Sequence, residues 1–359
     1  MPRKQTSGPI VIEAVDLFCG AGGLSHGLGQ AGIRVVAGFD LDPACKYPFE
    51  KNNNAKFVKA DISSVGGKEI NALYSPGAIK VLAGCAPCQP FSTYSQGKTD
   101  PSDKRWNLLI EFARLIEESK PDIVTMENVP RLEKQKVFHL FRETLERLGY
   151  RTKFEIMNCA DYGVPQLRKR LVLLASRLGP IEMIGPTHRP DDHITVEEAI
   201  GSLPPLQAGE IDTNDPIHQA SRLSSTNLKR IRASKPGGSW KDWDNDLIAD
   251  CHKKEVGHTY VSVYGRMSWD EPSPTMTTQF FGFGNGRFGH PEQDRGLSLR
   301  EGAILQSFPR RYQFVPKDKP IHRKIIGRLI GNAVPVKLGK AIGNSIKKHL
   351  ATNNIRSKA

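Results

Sequence analysis

The sequence predicts an α/β chain: a doubly wound, mostly parallel sheet with a second, smaller and irregular domain. Three observations predict it. Short apolar runs alternate with amphipathic stretches through the first half, the pattern of strands joined by crossover helices. Most of those runs end in a polar or reactive residue, as strands do when their carboxyl ends frame a site. After about residue 180 the alternation stops, and stretches rich in Pro, Gly, Ser, Lys, Arg and Trp run to about residue 296.

The first apolar run, 12–18, reads as a strand leading into Cys19-Gly20-Ala21-Gly22-Gly23, with a short helix expected over 24–31. Residues 35–39 form the second strand, ended by Asp40. The helix expected over 43–52 carries Pro43 near its start, where a missing N–H costs nothing. A third strand, 57–60, ends at Asp61. The fourth, 79–83, leads into Gly84-Cys85-Ala86-Pro87-Cys88-Gln89-Pro90-Phe91-Ser92. Leu109, Phe112, Ala113 and Ile116 stand at helical spacing and predict a helix over 108–119. The fifth strand, 123–126, ends at Glu127, and the helix expected over 137–148 is stopped by Gly149. Strands at 154–157 and 171–175 complete the set.

Beyond residue 180, Thr195 caps a short helix at 195–201. The irregular stretch that follows is too aromatic for plain disorder, holding Trp240, Trp243, Tyr260, Tyr264, Trp269, Phe280, Phe281 and Phe283. Helical periodicity returns at 299–308 and at 334–350, with Pro335 in the first turn of the last helix. The expected organisation is a tail at 1–10, a first domain at 11–180, a second at 181–298, a segment at 299–350 returning to the first, and a tail at 351–359.

Lys and Arg number 51 against 38 Asp and Glu, a net charge of +13 that favours a polyanionic partner, nucleic acid above all. No apolar run approaches the ~20 residues that span a bilayer, and the charged N-terminus has no apolar core behind it, so neither a membrane protein nor a secretory leader is expected. Six cysteines in 359 residues are too few for a disulfide scaffold and fit a reduced, cytoplasmic protein.

Several polar strand ends converging on one sheet edge read as a site. Cys88, between Pro87 and Pro90, reads either as a nucleophile on a stiff turn or as a small buried hydrophobe. The glycine turn after the first strand, with Asp40 twenty residues beyond Gly20, suits a nucleotide whose ribose hydroxyls meet a carboxylate. Ser25 stands where the dinucleotide fingerprint wants its third glycine, which disfavours a nicotinamide cofactor. Asp61 reads as an adenine contact or a turn cap, and Phe18 as an adenine-stacking ring or core. Glu127 reads as an acid able to hold or donate a proton, or as a capping or ion-paired carboxylate. In extended chain Gln166, Arg168 and Arg170 would share a face, as site residues or as a basic edge.

Asp16-Leu-Phe18-Cys-Gly20-Ala-Gly22-Gly23, Pro87-Cys88-Gln89, Glu127-Asn128-Val129, Gln166-x-Arg168-x-Arg170, Arg300-Glu301…Gln306-Ser307-Phe308-Pro309 and Gly331-Asn332-Ala333-Val334, in that order, resemble the motif set of the DNA cytosine-5 methyltransferases of the bacterial, single-chain modification type. The resemblance covers about residues 12–348. It implies an S-adenosylmethionine-dependent methyltransferase fold with a target-recognition domain at 181–298. S-adenosylmethionine would meet Phe18, Gly20, Gly23, Leu24, Asp40, Leu41, Asp61, Ile62, Leu108, Asn332 and Ala333. Leu41 stands where some members carry tryptophan. Cys88 matches the nucleophile, Glu127 and Arg170 the groups that hold the target cytosine, and Arg168 lies close by. Residues 89–106 match a loop that closes over the substrate in relatives. No metal is implied. The expected partners are double-stranded DNA and a cognate restriction endonuclease, for a monomer acting at the nucleoid.

The recognition domain's strongest basic candidate is the run from Asn227 through Lys229, Arg230, Arg232 and Lys235 to Trp240, and Thr275-Met276-Thr277-Thr278 matches a threonine-bearing turn. The rival readings are a tRNA cytosine-5 methyltransferase, whose Cys-Phe-Thr element this chain lacks in the second domain, a thiol redox or zinc protein using Cys85 and Cys88, and a binding protein with a relic site.

Overall fold

The computed structural model describes residues 11–87, 107–254 and 257–353. The chain divides into two units. The first is built from the described parts of Met1–Asn158, Lys169–Pro186 and Val334–Ala359, the second from those of Cys159–Arg168 and Thr187–Ala333.

The first unit runs β1 (Ile12–Leu17), α1 (Gly23–Gln30), β2 (Arg34–Asp40), α2 (Lys46–Asn53), β3 (Lys56–Lys59), α3 (Gly67–Asn71), β4 (Ile79–Gly84), α4 (Asn107–Ser119), β5 (Ile123–Asn128), α5 (Lys136–Arg147) and β6 (Arg151–Asn158). The chain passes through β7 (Gln166–Leu167) of the second unit and returns as β8 (Lys169–Ser176). The seven strands lie in the order β3-β2-β1-β4-β5-β8-β6. β1 to β5 pair in parallel, and β8 runs antiparallel to both its neighbours. The mostly parallel sheet is therefore as expected, with one reversed strand.

The central strands are buried over most of their length, which is why β4, β5 and β8 were legible as plain apolar runs. β6 lies at the sheet edge and is mostly half-buried or exposed, so only its middle carried an apolar signal. The core over one face joins Leu17, Phe39, Leu82, Phe112, Ile116 and Phe138, drawing α4 and α5 onto the sheet.

The second unit continues with α6 (Val196–Ile200), α7 (Ser225–Ala233), α8 (Asp250–Lys253), β9 (Ser273–Pro274), α9 (Leu299–Leu305) and α10 (Arg323–Asn332). Thr195 caps α6 through a capping box with Glu198, as expected. Its small apolar cluster is Ile231, Trp240, Trp243 and Phe283. Trp240 stacks on His252 at 4.5 Å between centroids. The unit relies on buried charge as well. Arg295 grips Glu301 with two bonds of 2.7 and 2.8 Å, both side chains fully buried. Burial alone would raise the Glu301 carboxyl, but the Arg295 guanidinium outweighs it and holds the group down to about 2.

The boundaries differ from expectation: residues 159–168, expected in the first domain, belong with the second unit, which resumes at Thr187. Residues 299–333 belong with the second unit, and the chain rejoins the first at Val334 rather than at 299. The last helix, α11 (Val336–Thr352), starts one residue after Pro335, which is its N-cap rather than part of its first turn. No helix among the described residues is long and apolar enough to cross a membrane.

Candidate active site

The sheet order reverses between β1 and β4, and crevices open at such a reversal beyond the carboxyl ends of the strands. The turn after β1 is held in an unusual backbone state. Phe18, Gly20 and Gly22 all take positive φ, at 58°, 54° and 87°. A bulky residue such as Phe18 pays for that conformation, which marks the turn as built for a purpose. A Cβ on Gly20 would be strained yet would meet nothing within 4 Å, so open space lies beside the turn.

Asp40 closes the turn from β2. One carboxylate oxygen accepts the Gly20 N–H at 2.9 Å and the other accepts the Asp42 N–H at 2.9 Å. Burial pushes its carboxyl up, against these backbone bonds. Leu41, next along, is 61% exposed, an apolar side chain at the edge of the same turn. Gly23 and Leu24 are buried in the first turn of α1. Phe18 is partly buried against the core.

Asp61 follows the capping alternative: Oδ1 accepts the Ser63 N–H at 3.0 Å and the Ser63 hydroxyl at 2.8 Å. Ile62 is core, and Leu108 on α4 packs partly buried against that core.

Beneath β1's exit lies Asp16, absent from the predicted site. It is fully buried, its Oδ2 takes the Ser25 hydroxyl at 2.6 Å, and its Oδ1 has no partner among the described residues. Burial, helped by nearby Asp40, raises its carboxyl from 3.8 to about 7.

At the adjoining ends of β4, β5 and β8 the structure brings together Glu127, Arg170 and Cys85. Arg170 Nε lies 2.8 Å from Glu127 Oε1, with side chains only 12% and 9% exposed. Glu127 thus adopts the ion-paired alternative, with the partner that the resemblance also assigned to the site. Cys85 adjoins Glu127, and burial together with the Glu127 and Asp16 carboxylates pushes its thiol well above the ordinary range. That is the reverse of an activated redox or metal-binding thiol. Among the described residues no group of three or more His, Cys, Asp or Glu could hold a metal.

Asn128, next to Glu127, is a residue the predicted site missed. Its amide donates to the Ala86 carbonyl at 3.0 Å, pinning the chain two residues before Cys88. Cys88 and the loop at 89–106 lie outside the described residues.

Arg168 departs from expectation. Alternation would put it on the face of Arg170, but the chain changes unit between them. Arg168 is buried and donates to the Met276 carbonyl at 2.9 Å and the Gly331 carbonyl at 3.1 Å. Gln166 accepts the Met276 N–H at 2.8 Å and donates to Gln306 at 3.0 Å. These three side chains clamp the 275–278 turn to the end of α10, where a Cβ on Gly331 would fall 2.3 Å from the Thr277 carbonyl oxygen. Arg168 is a structural clamp in this arrangement, not a group free to take a base. Asn332, exposed, and Ala333, buried, end α10 in the second unit.

The basic run also divides. Arg230 lies over the Trp243 and Tyr264 rings and donates to the Leu247 carbonyl at 2.8 Å, so it is structural. Arg232 pairs with Asp294 at 3.1 Å, and Lys229 and Lys235 are exposed.

Comparison with known proteins agrees with this geometry. The chain resembles the E. coli prophage protein described as a DNA modification methyltransferase, with a TM-score of 0.71 and 20% identity over 95% of this chain and 99% of that one. It resembles the Entamoeba histolytica methyltransferase EhMeth with a TM-score of 0.65 and 17% identity, over 95% and 99%. Sheet order and these likenesses define an S-adenosylmethionine-dependent methyltransferase fold, as expected. At the level of sequence, Type II methylase M.HgiDII of Herpetosiphon aurantiacus is 53% identical over 344 residues, 95% of this chain and 96% of that protein. Type II methyltransferase M1.HphI of Haemophilus parahaemolyticus is 33% identical over 345 residues, 94% and 87%. The model for C-5 cytosine-specific DNA methylases matches residues 12–348, and the chain belongs to that family. It is a DNA (cytosine-5-)-methyltransferase.

Proposed function

We propose that the protein transfers a methyl group from S-adenosylmethionine to C5 of a flipped-out cytosine within a specific duplex sequence, through a covalent bond between Cys88 and C6. The observation that carries this reading is the buried Glu127–Arg170 pair at 2.8 Å, beside the exit of the strand that leads to Cys88.

The residues present fit the donor. Asp40 offers a carboxylate at the mouth of an open, left-handed turn, and Phe18 and the exposed Leu41 offer apolar surface for a nucleobase. Gly20, Gly23, Leu24, Asp61, Ile62, Leu108, Asn332 and Ala333 complete the proposed donor site. When bound, S-adenosylmethionine supplies an electrophilic methyl group to C5.

The chain's own residues make C5 reactive. Cytosine C5 is a poor nucleophile until a thiolate adds to C6 and pushes electron density onto it; Cys88 forms that sulfur–carbon bond. Glu127, protonated or sharing a proton with N3, withdraws electrons and opens C6 to attack. Arg170 bonds to O2 and offsets the charge gathering there, while keeping Glu127 in place. Once the C5 proton has left, the Cys88–C6 bond breaks and the thiolate departs, restoring the double bond. None of these atoms can be reached in a stacked duplex, so the base must flip out, costing a few kcal/mol. Lys229, Arg232 and Lys235 are exposed basic groups of the proposed recognition module.

The protein acts as a monomer, in the cytoplasm at the nucleoid, as the modification partner of an endonuclease reading the same site. Expression in a methylation-free host followed by sequencing for 5-methylcytosine tests this. Methylation in one short sequence context is expected. Unmodified DNA, or methyl groups only in tRNA, would overturn it.

A further inference from the structure

Three residues before the assigned nucleophile stands a second cysteine that the mechanism does not use. The register of the sheet decides where it points. β4 and β5 pair in parallel with Gly84 opposite Met126, so the next residues, Cys85 and Glu127, are neighbours across the ladder with side chains on the same side. The Cys85 N–H bonds to the Leu17 carbonyl at 3.3 Å, extending the ladder toward β1 and fixing the backbone at this point. The thiol therefore lies against Glu127, whose carboxylate and main-chain N–H both act on it. A carboxylate is an acceptor, so the thiol is the donor.

From this juxtaposition we infer that Cys85 is a positioning residue for the transfer: its thiol proton, with Arg170 on the other flank, holds the Glu127 carboxyl group in the orientation that meets cytosine N3. Arg170 alone fixes one oxygen at 2.8 Å and leaves the carboxyl group free to pivot about that contact. A second donor removes the pivot. The thiol serves because it stays protonated. Burial and the two carboxylates that act on it, Glu127 on β5 and Asp16 on β1, all favour the protonated thiol. Positioned general acids depend on such restraint, since a displacement of about 1 Å can cost on the order of a hundredfold in rate. The inference rests on Glu127 acting on cytosine as proposed above.

The test compares Cys85→Ala, Cys85→Ser and Glu127→Gln on a duplex substrate with labelled S-adenosylmethionine. Cys85→Ala should lower kcat about tenfold at unchanged KM for DNA, and move the alkaline limb of kcat to higher pH, because a carboxylate deprived of a donor holds its proton more tightly. Cys85→Ser restores a donor and should recover both the rate and the limb. Glu127→Gln should lose nearly all turnover. A Cys85→Ala enzyme with the native rate and limb, or a Cys85→Ser enzyme no better than Cys85→Ala, overturns the positioning role. Full turnover in Glu127→Gln overturns instead the reading on which it rests.

Discussion

Asp16 should make the stability of the sheet unit fall as pH rises from about 4 to about 7, and Asp16→Asn should remove that dependence. The carboxyl group titrates near 3.8 when the chain is unfolded and at about 7 in the folded unit, because burial outweighs the single bond from Ser25. Below 3.8 both states are protonated and the contribution is fully present. As pH rises the unfolded chain ionises first, and the equilibrium shifts toward it until the folded group ionises at about 7. Each pH unit in that window is worth about 1.4 kcal/mol. From pH 4.5 to pH 8 the native protein should therefore lose about 3 kcal/mol through this one group. The variant does not titrate. It leaves an amide donor on the side where Asp16 Oδ1 has no partner, a roughly constant cost of about 1–3 kcal/mol. Urea unfolding at the two pH values reads the difference: relative to native, the variant should gain about 3 kcal/mol between them. A constant offset at both would refute the buried, proton-holding Asp16.

Other substitutions separate structural from chemical roles. Gly20→Ala should cost about 1–2 kcal/mol in stability, since the left-handed backbone resists a side chain; calorimetry should also show at least tenfold weaker S-adenosylmethionine binding, and undiminished affinity would remove this turn from the donor site. Glu301→Gln strands Arg295 without its charge partner and should cost about 3–5 kcal/mol in a thermal melt at pH 7. Because Glu301 is held down to about 2, the native protein keeps that stabilisation above about 4.5 and loses it as pH falls toward 2; the variant should lack this acid limb. Arg168→Met should lower the melting temperature by several degrees by orphaning the Met276 and Gly331 carbonyls; a variant as stable as native but inactive would return Arg168 to the chemistry.

The parts of this fold that were legible in the sequence are those whose signal is local. β4, β5 and β8 are buried over most of their length and announce themselves as apolar runs. Glu127 and Asp40 could be found because strand ends point toward the crevice. What stayed hidden depends on partners far along the chain. α10 was missed because two of its buried positions are the glycines Gly327 and Gly331, which pack by lacking side chains and so give no apolar period. α7 read as a basic run, since Ile231 is its sole fully buried residue. Alternation failed for Arg168 because the second unit's segment ends at Arg168 and a strand of the first unit begins at Lys169. Asn128 acts on a main-chain carbonyl, which no side-chain pattern reveals. The Asp16–Ser25 pair is a buried bond between residues that a motif reading treats as part of a glycine turn.

The central claim is that Cys88, aided by Glu127 and Arg170, bonds to C6 of an extruded cytosine. Duplex DNA carrying 5-fluorocytosine at the recognition site tests it directly, because fluorine takes the place of the C5 proton whose loss frees the enzyme. Incubation with S-adenosylmethionine, digestion and mass mapping should find the modified nucleotide attached to the peptide containing Cys88, with no such product from Cys88→Ala. Attachment at Cys85, or native enzyme that methylates ordinary DNA yet never becomes linked to the fluorinated strand, would contradict the account.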